Sequence, residues 1–103
     1  MNALIVEDNA RYRQSLRHLL AGKFPSLQIA EASDSEEALR HGLSRRFDLV
    51  FVDIRLPDGN GLELTKTIKS LFVDSMVCVI TSYDILEYRE AAFHSGADHF
   101  MVK

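Results

Sequence analysis

The sequence predicts one α/β domain over residues 1–103, a doubly wound five-stranded parallel sheet with helices on both faces. Three observations predict it. Short apolar runs rich in Val and Ile recur at residues 3–6, 49–52 and 77–80, and such runs read as strands buried on both faces. Segments with helical periodicity separate them, and this alternation argues for parallel pairing through right-handed crossovers. The runs also stop at residues that chemistry can use: Glu7-Asp8, Asp53 and Thr81-Ser82. In open parallel sheets ligands sit outside the carboxyl ends of the strands, and every one of these stops lies at that edge.

The first strand, residues 3–6, is followed by Asn9, placed to cap a helix over residues 10–24. Tyr12, Leu16, Leu19 and Leu20 share one face of that helix, and Pro25 closes it. Residues 27–32 form a less regular second strand, with Leu27, Ile29 and Ala32. Ser33 or Asp34 caps the next helix, whose first turn carries Glu36 and Glu37 beside the positive end of the helix dipole. It runs to Arg46 with Ala38, Leu39 and Leu43 inward. The third strand is residues 48–53, and Leu56-Pro57-Asp58-Gly59-Asn60-Gly61 is a dense turn signal. A helix starts at Leu62 and packs through Leu64, Ile68, Leu71 and Phe72. Residues 76–81 are the fourth strand, a helix over residues 84–95 ends with Gly96 as its C-cap, and residues 99–102 are the fifth strand. That gives four helices, none following the last strand.

Composition narrows the function classes. With 47% hydrophobic and 26% charged residues, the chain has the balance of a soluble globular domain. A net charge of -3 gives no general affinity for nucleic acid or anionic membrane, so a DNA role would need another domain. The lone Cys78 sits in an apolar run and reads as a buried structural thiol. The N-terminus does not have the pattern of a signal peptide, no run approaches transmembrane length, and a cytoplasmic location is expected.

If the strand ends meet, Glu7, Asp8 and Asp53 crowd together, and like charges that close call for a cation. A divalent metal is the first expectation. Mg2+ takes one or two carboxylates together with waters and phosphate oxygens. One carboxylate beside such a metal can act as a nucleophile toward phosphorus. Thr81 supplies a hydroxyl, and Lys103, after Phe100-Met101-Val102, a mobile cation. Together they make a phosphoryl site. The competing reading, that strand ends are polar merely because they meet solvent, suits any one of the five better than all of them at one edge. His18, His41, His94 and His99 are scattered without ligand spacing. Arg45-Arg46 suits the negative end of a helix, and Gly59 and Gly61 belong to a turn and not to a phosphate loop. Tyr83, Tyr88 and Phe100 are candidates for a partner surface.

Leu4-Ile5-Val6-Glu7-Asp8-Asn9, Asp53-Ile54-Arg55-Leu56-Pro57-Asp58-Gly59-Asn60-Gly61, Val79-Ile80-Thr81-Ser82, Gly96-Ala97-Asp98 and Phe100-Met101-Val102-Lys103 occur in an order and spacing that is highly specific. Over its whole length the chain resembles the receiver domain of two-component response regulators, the CheY-like superfamily. The resemblance implies a flavodoxin-like fold with strand order 2-1-3-4-5. It implies that Asp53 is the phosphoacceptor, taking a phosphoryl group from a sensor histidine kinase or phosphotransfer protein. Glu7 and Asp8 would hold Mg2+, joined by Asp53 and the backbone carbonyl of Arg55. Lys103 would pair with Asp53 and then with the phosphoryl group. Thr81 would swing toward that group and Phe100 would turn inward, shifting the population of the surface formed by the fourth helix and fifth strand. Ser82 is small enough to leave access, and Arg55 and Tyr83 occupy positions that tune phosphoryl lifetime in the family. The implied role is signalling and not enzymatic turnover, controlling an output domain such as a transcription regulator.

Family members continue past the lysine with proline, a loop and a fifth helix, whereas this sequence stops at Lys103. The final helix is therefore expected to be missing, leaving part of one sheet face uncovered. A domain fragment is the first expectation, and a short receiver that covers the gap as a homodimer is the second. An interaction module that dimerises without phosphorylation is the alternative function. An aspartate-nucleophile phosphatase is disfavoured, because the first strand lacks the D-x-D arrangement.

Overall fold

The computed structural model describes residues 1–103, apart from the side chain of Leu43. The inward placement expected of Leu43 therefore lies outside the described residues. In chain order the elements are β1 (Asn2–Val6), α1 (Ala10–Lys23), β2 (Gln28–Ala32), α2 (Ser35–Ser44), β3 (Leu49–Asp53), β4 (Arg55–Leu56), β5 (Gly59–Asn60), α3 (Gly61–Leu71), β6 (Met76–Thr81), α4 (Leu86–His94) and β7 (His99–Val102). The main sheet is wholly parallel, in the order β2-β1-β3-β6-β7. Counting its strands alone, this is the expected 2-1-3-4-5 order of a flavodoxin-like fold. The turn signal after β3 proves to be structured: β4 and β5 form a small antiparallel pair with Arg55 opposite Asn60.

The sheet separates two apolar layers. On one face Leu4, Val6, Val50, Val52, Val77 and Val79 pack with Ala38 of α2, Leu64 and Ile68 of α3 and Ala92 of α4. On the other face Ile5, Phe51, Cys78 and Ile80 pack with Leu16 and Leu20 of α1. Among the described residues, the helices thus divide three to one between the faces. The thinly covered face is less open than expected. Ile80 is 0% and Phe51 8% exposed, because Tyr12, Leu27 and Met101 close around them, and Met76 remains 46% exposed at the margin.

Caps fall where the local chemistry puts them. Asn9 accepts from the Tyr12 N–H at the start of α1, and Asp34, not Ser33, accepts from the Glu37 N–H at the start of α2. Gly96 adopts φ 104° just past α4, a conformation that favours glycine. Four expectations are corrected. The α2 helix stops at Ser44, with extended Arg45 as its C-cap. The α4 helix begins at Leu86 and not at Asp84, with Ile85 at the N-cap making no side-chain cap bond. Leu19 and Leu71 are each 55% exposed. The sheet covers only the narrow Leu16–Leu20 stripe of α1, and Leu71 stands at the end of α3.

Candidate functional site

Parallel register brings the strand ends to one edge. Val6 lies beside Ala32 and Val52, Asp53 beside Ile80, and Thr81 beside Val102. One residue past β1, Glu7 donates its N–H to the Ala32 carbonyl at 2.9 Å. One residue past β7, Lys103 donates its N–H to the Thr81 carbonyl at 2.8 Å. Four neighbouring strands thereby present Glu7, Asp53, Thr81 and Lys103 at the same rim.

Glu7, Asp8 and Asp53 each offer a carboxylate oxygen, all within 4.8 Å of one another. Lys103 Nζ lies 2.5 Å from Glu7 Oε1 and 3.3 Å from Asp53 Oδ2. The Tyr12 ring backs this ammonium at 4.8 Å, a favourable arrangement for a cation. Asp53 Oδ1 accepts a long bond of 3.4 Å from the Arg55 N–H. The two remaining candidates stand outside these contacts. Thr81 is buried, and its hydroxyl accepts from the Tyr83 N–H at 3.1 Å. Phe100 is half-buried against the α4-side layer, with the Arg89 guanidinium 5.0 Å over its ring.

The charges are not balanced. Glu7 is fully buried, and its Oε2 has no hydrogen-bond partner. Burial first, then the neighbouring Asp53, push the Glu7 carboxyl up to about 7, with the Lys103 ammonium pulling the other way. Burial disfavours the Lys103 cation too, but Glu7 and Asp53 outweigh it and hold its pKa above the ordinary lysine value. An orphaned buried oxygen beside two further carboxylates is a donor set that suits a hard divalent cation. Thus the residues present fit Mg2+.

Several contributors carry no signal in the linear sequence. Arg13 donates from Nη1 to the Glu7 carbonyl at 2.7 Å and from Nε to Glu31 at 2.7 Å. Side-chain contacts between different elements leave no periodic trace, so Arg13, Glu31 and the role of Tyr12 have no signal in the sequence. Gly61 shows a second kind of hidden role. A Cβ built there would lie 1.9 Å from the Asp53 carbonyl oxygen, so the turn into α3 packs directly on the backbone of the site aspartate. Asp58 ties the same turn to α2 by accepting from the N–H groups of Ser35 and Glu36 at 2.9 and 3.0 Å. Outside the cluster, the Arg55 guanidinium lies 4.4 Å over the Tyr83 ring, and Tyr83 meets Tyr88 edge to face at 6.2 Å.

Comparison with known proteins points to one family. The family model for the response regulator receiver domain matches residues 3–103. A DNA-binding transcriptional activator, DevR/DosR of Mycobacterium tuberculosis, is 35% identical over 104 residues, covering 100% of this chain and 48% of that protein. A cyclic di-GMP phosphodiesterase of Thermotoga maritima is 34% identical over 103 residues, covering 100% of this chain and 27% of that protein. The chain thus spans less than half the length of these relatives. The solved structure of a response regulator protein, TrrA of Thermotoga maritima, in complex with Mg2+-BeF, superposes with a TM-score of 0.87 at 31% identity, covering 99% of this chain and 85% of that one.

Proposed function

The chain belongs to the response regulator receiver family, and from that membership we propose that it is a phosphoacceptor signalling domain in which Asp53 takes a phosphoryl group from a sensor histidine kinase or phosphotransfer protein. The placement of Asp53 carries the reading. It ends a central strand, 6% exposed, with Lys103 Nζ at 3.3 Å and the oxygens of Glu7 and Asp8 within 4.8 Å.

The chemistry follows from these neighbours. An Asp53 carboxylate oxygen attacks phosphorus, the bond from phosphorus to the donor imidazole nitrogen breaks, and its electron pair stays on the imidazole. Glu7, Asp8, Asp53 and the Arg55 backbone carbonyl would hold Mg2+, which would supply neutralisation of the phosphoryl oxygens. Lys103, 3.3 Å from Asp53 Oδ2, offsets the growing negative charge. Thr81 gives up the bond it accepts from the Tyr83 N–H and donates its hydroxyl to a phosphoryl oxygen, Phe100 moves further inward, and the α4–β7 surface shifts between two populations. The Mg2+-BeF complex of the TrrA relative supports the metal assignment. The transcriptional activator among the relatives supports an output in gene regulation carried by another domain. A cytoplasmic receiver, with this domain itself touching neither DNA nor membrane, completes the reading; no helix is long and apolar enough to cross a membrane.

Incubation with Mg2+ and acetyl phosphate is expected to add the mass of one phosphoryl group, absent in Asp53→Asn and when chelator is present. An unchanged mass in folded, Mg2+-supplied protein would overturn the assignment.

A further inference from the structure

We infer that Arg13 is a positioning residue for the metal end of this site, setting where Asp8 stands by fixing the peptide that precedes it. The inference rests on the metal reading given above.

Asp8 is exposed, and among the described residues its carboxylate makes no hydrogen bond or ion pair. Its position therefore depends on the backbone around it. That backbone is held on both sides. Glu7 is tied to β2 through its N–H, and its carbonyl accepts from Arg13 Nη1 at 2.7 Å. Asn9 accepts the Tyr12 N–H on its side chain at 3.1 Å and the Arg13 N–H on its carbonyl at 2.9 Å. The peptide joining Glu7 to Asp8 thus has its oxygen fixed by one guanidinium.

Arg13 is itself immobilised. Its side chain is 19% exposed, and its Nε donates to Glu31 Oε1 at 2.7 Å. Glu31 lies beside Ile5 in the β1–β2 ladder and takes Arg17 on its other oxygen at 2.5 Å. Burial opposes ionisation of Glu31, but the two guanidiniums outweigh it and keep its pKa below the ordinary value. One fork of donors therefore spans α1, β1 and β2. Glu31 also offsets a positive charge that would otherwise repel a bound cation.

Position and charge predict opposite signs. If Arg13 acted only through its charge, removing it would tighten Mg2+ binding. If it holds the Glu7–Asp8 peptide, removing it weakens binding. The test is titration of the metal-free domain with Mg2+ alone, followed by amide NMR shifts, with thermal unfolding to confirm the fold. Arg13→Met is expected to weaken Mg2+ roughly tenfold, the lower end of what loss of an orienting partner costs. Arg17→Met makes the same charge change beside Glu31 without touching Glu7, and is expected to stay within about twofold on the same scale. Should Arg13→Met fail to fold, Arg13→Lys carries the test, since it keeps the charge but is a single point donor; weaker binding is again expected. Equal or tighter binding in the Arg13 variant tested, or equal weakening in Arg17→Met, overturns the inference. An unaltered domain that takes up no Mg2+ overturns the metal reading itself, and this inference with it.

Discussion

Glu7 combines complete burial, one satisfied oxygen and one orphan. Its carboxyl sits near 7 when folded, against 4.5 as an unperturbed glutamate. Between those values the folded chain keeps a proton that the unfolded chain has released. This group's contribution to stability is therefore full below the lower value and is lost as pH rises through the upper one. In chelator, the unfolding temperature is expected to fall between pH 5 and pH 7.5, and Glu7→Gln should flatten that slope in a calorimetric pH series. Glu7, Asp8, Asp53, Thr81 and Lys103 were legible in the sequence because each follows or ends an apolar run, and topology does the rest. Arg13 was not legible, since its partners, the Glu7 carbonyl and Glu31, are brought to it only by the fold. Cys78 is the bland case: buried as expected, with burial pushing its thiol up to about 11.

Elements were legible where local chemistry and tertiary packing agree. Asn9 and Gly96 mark helix ends by the same capping rules in sequence and in structure. Elements were misread where packing alone decides. Leu19 suits a helical face but misses the sheet, and α4 starts only at Leu86, past the capping-type Asp84, with Ile85 at the N-cap making no side-chain cap bond. The β4–β5 pair looked like a plain turn, yet it brings Gly61 against the Asp53 carbonyl and donates the Gly61 N–H to Ile54 at 2.7 Å. Because the obstacle is backbone and cannot rotate away, Gly61→Ala is expected to cost at least about 2 kcal/mol, toward the upper part of the range for overpacking. Urea unfolding measures it, and a loss below about 0.5 kcal/mol, the ordinary scatter of surface changes, would contradict the close approach.

At the scale of the whole molecule, strand order is what turns scattered acids into a site. Crowding three carboxylates at one rim strains the metal-free fold, and the single Lys103 offsets only part of it. Asp8→Asn is therefore expected to raise stability in chelator by up to about 1 kcal/mol, while abolishing the rise in unfolding temperature that Mg2+ gives the unaltered chain. A melting series with and without Mg2+ checks both halves, and equal or lower stability in chelator would argue against repulsion. The Lys103–Glu7 contact joins residues 96 apart in the chain. Closing so long a loop precedes any benefit from it. During synthesis the acids are made well before the cation, so Glu7 waits for its ammonium until β7 has been made and docks on β6.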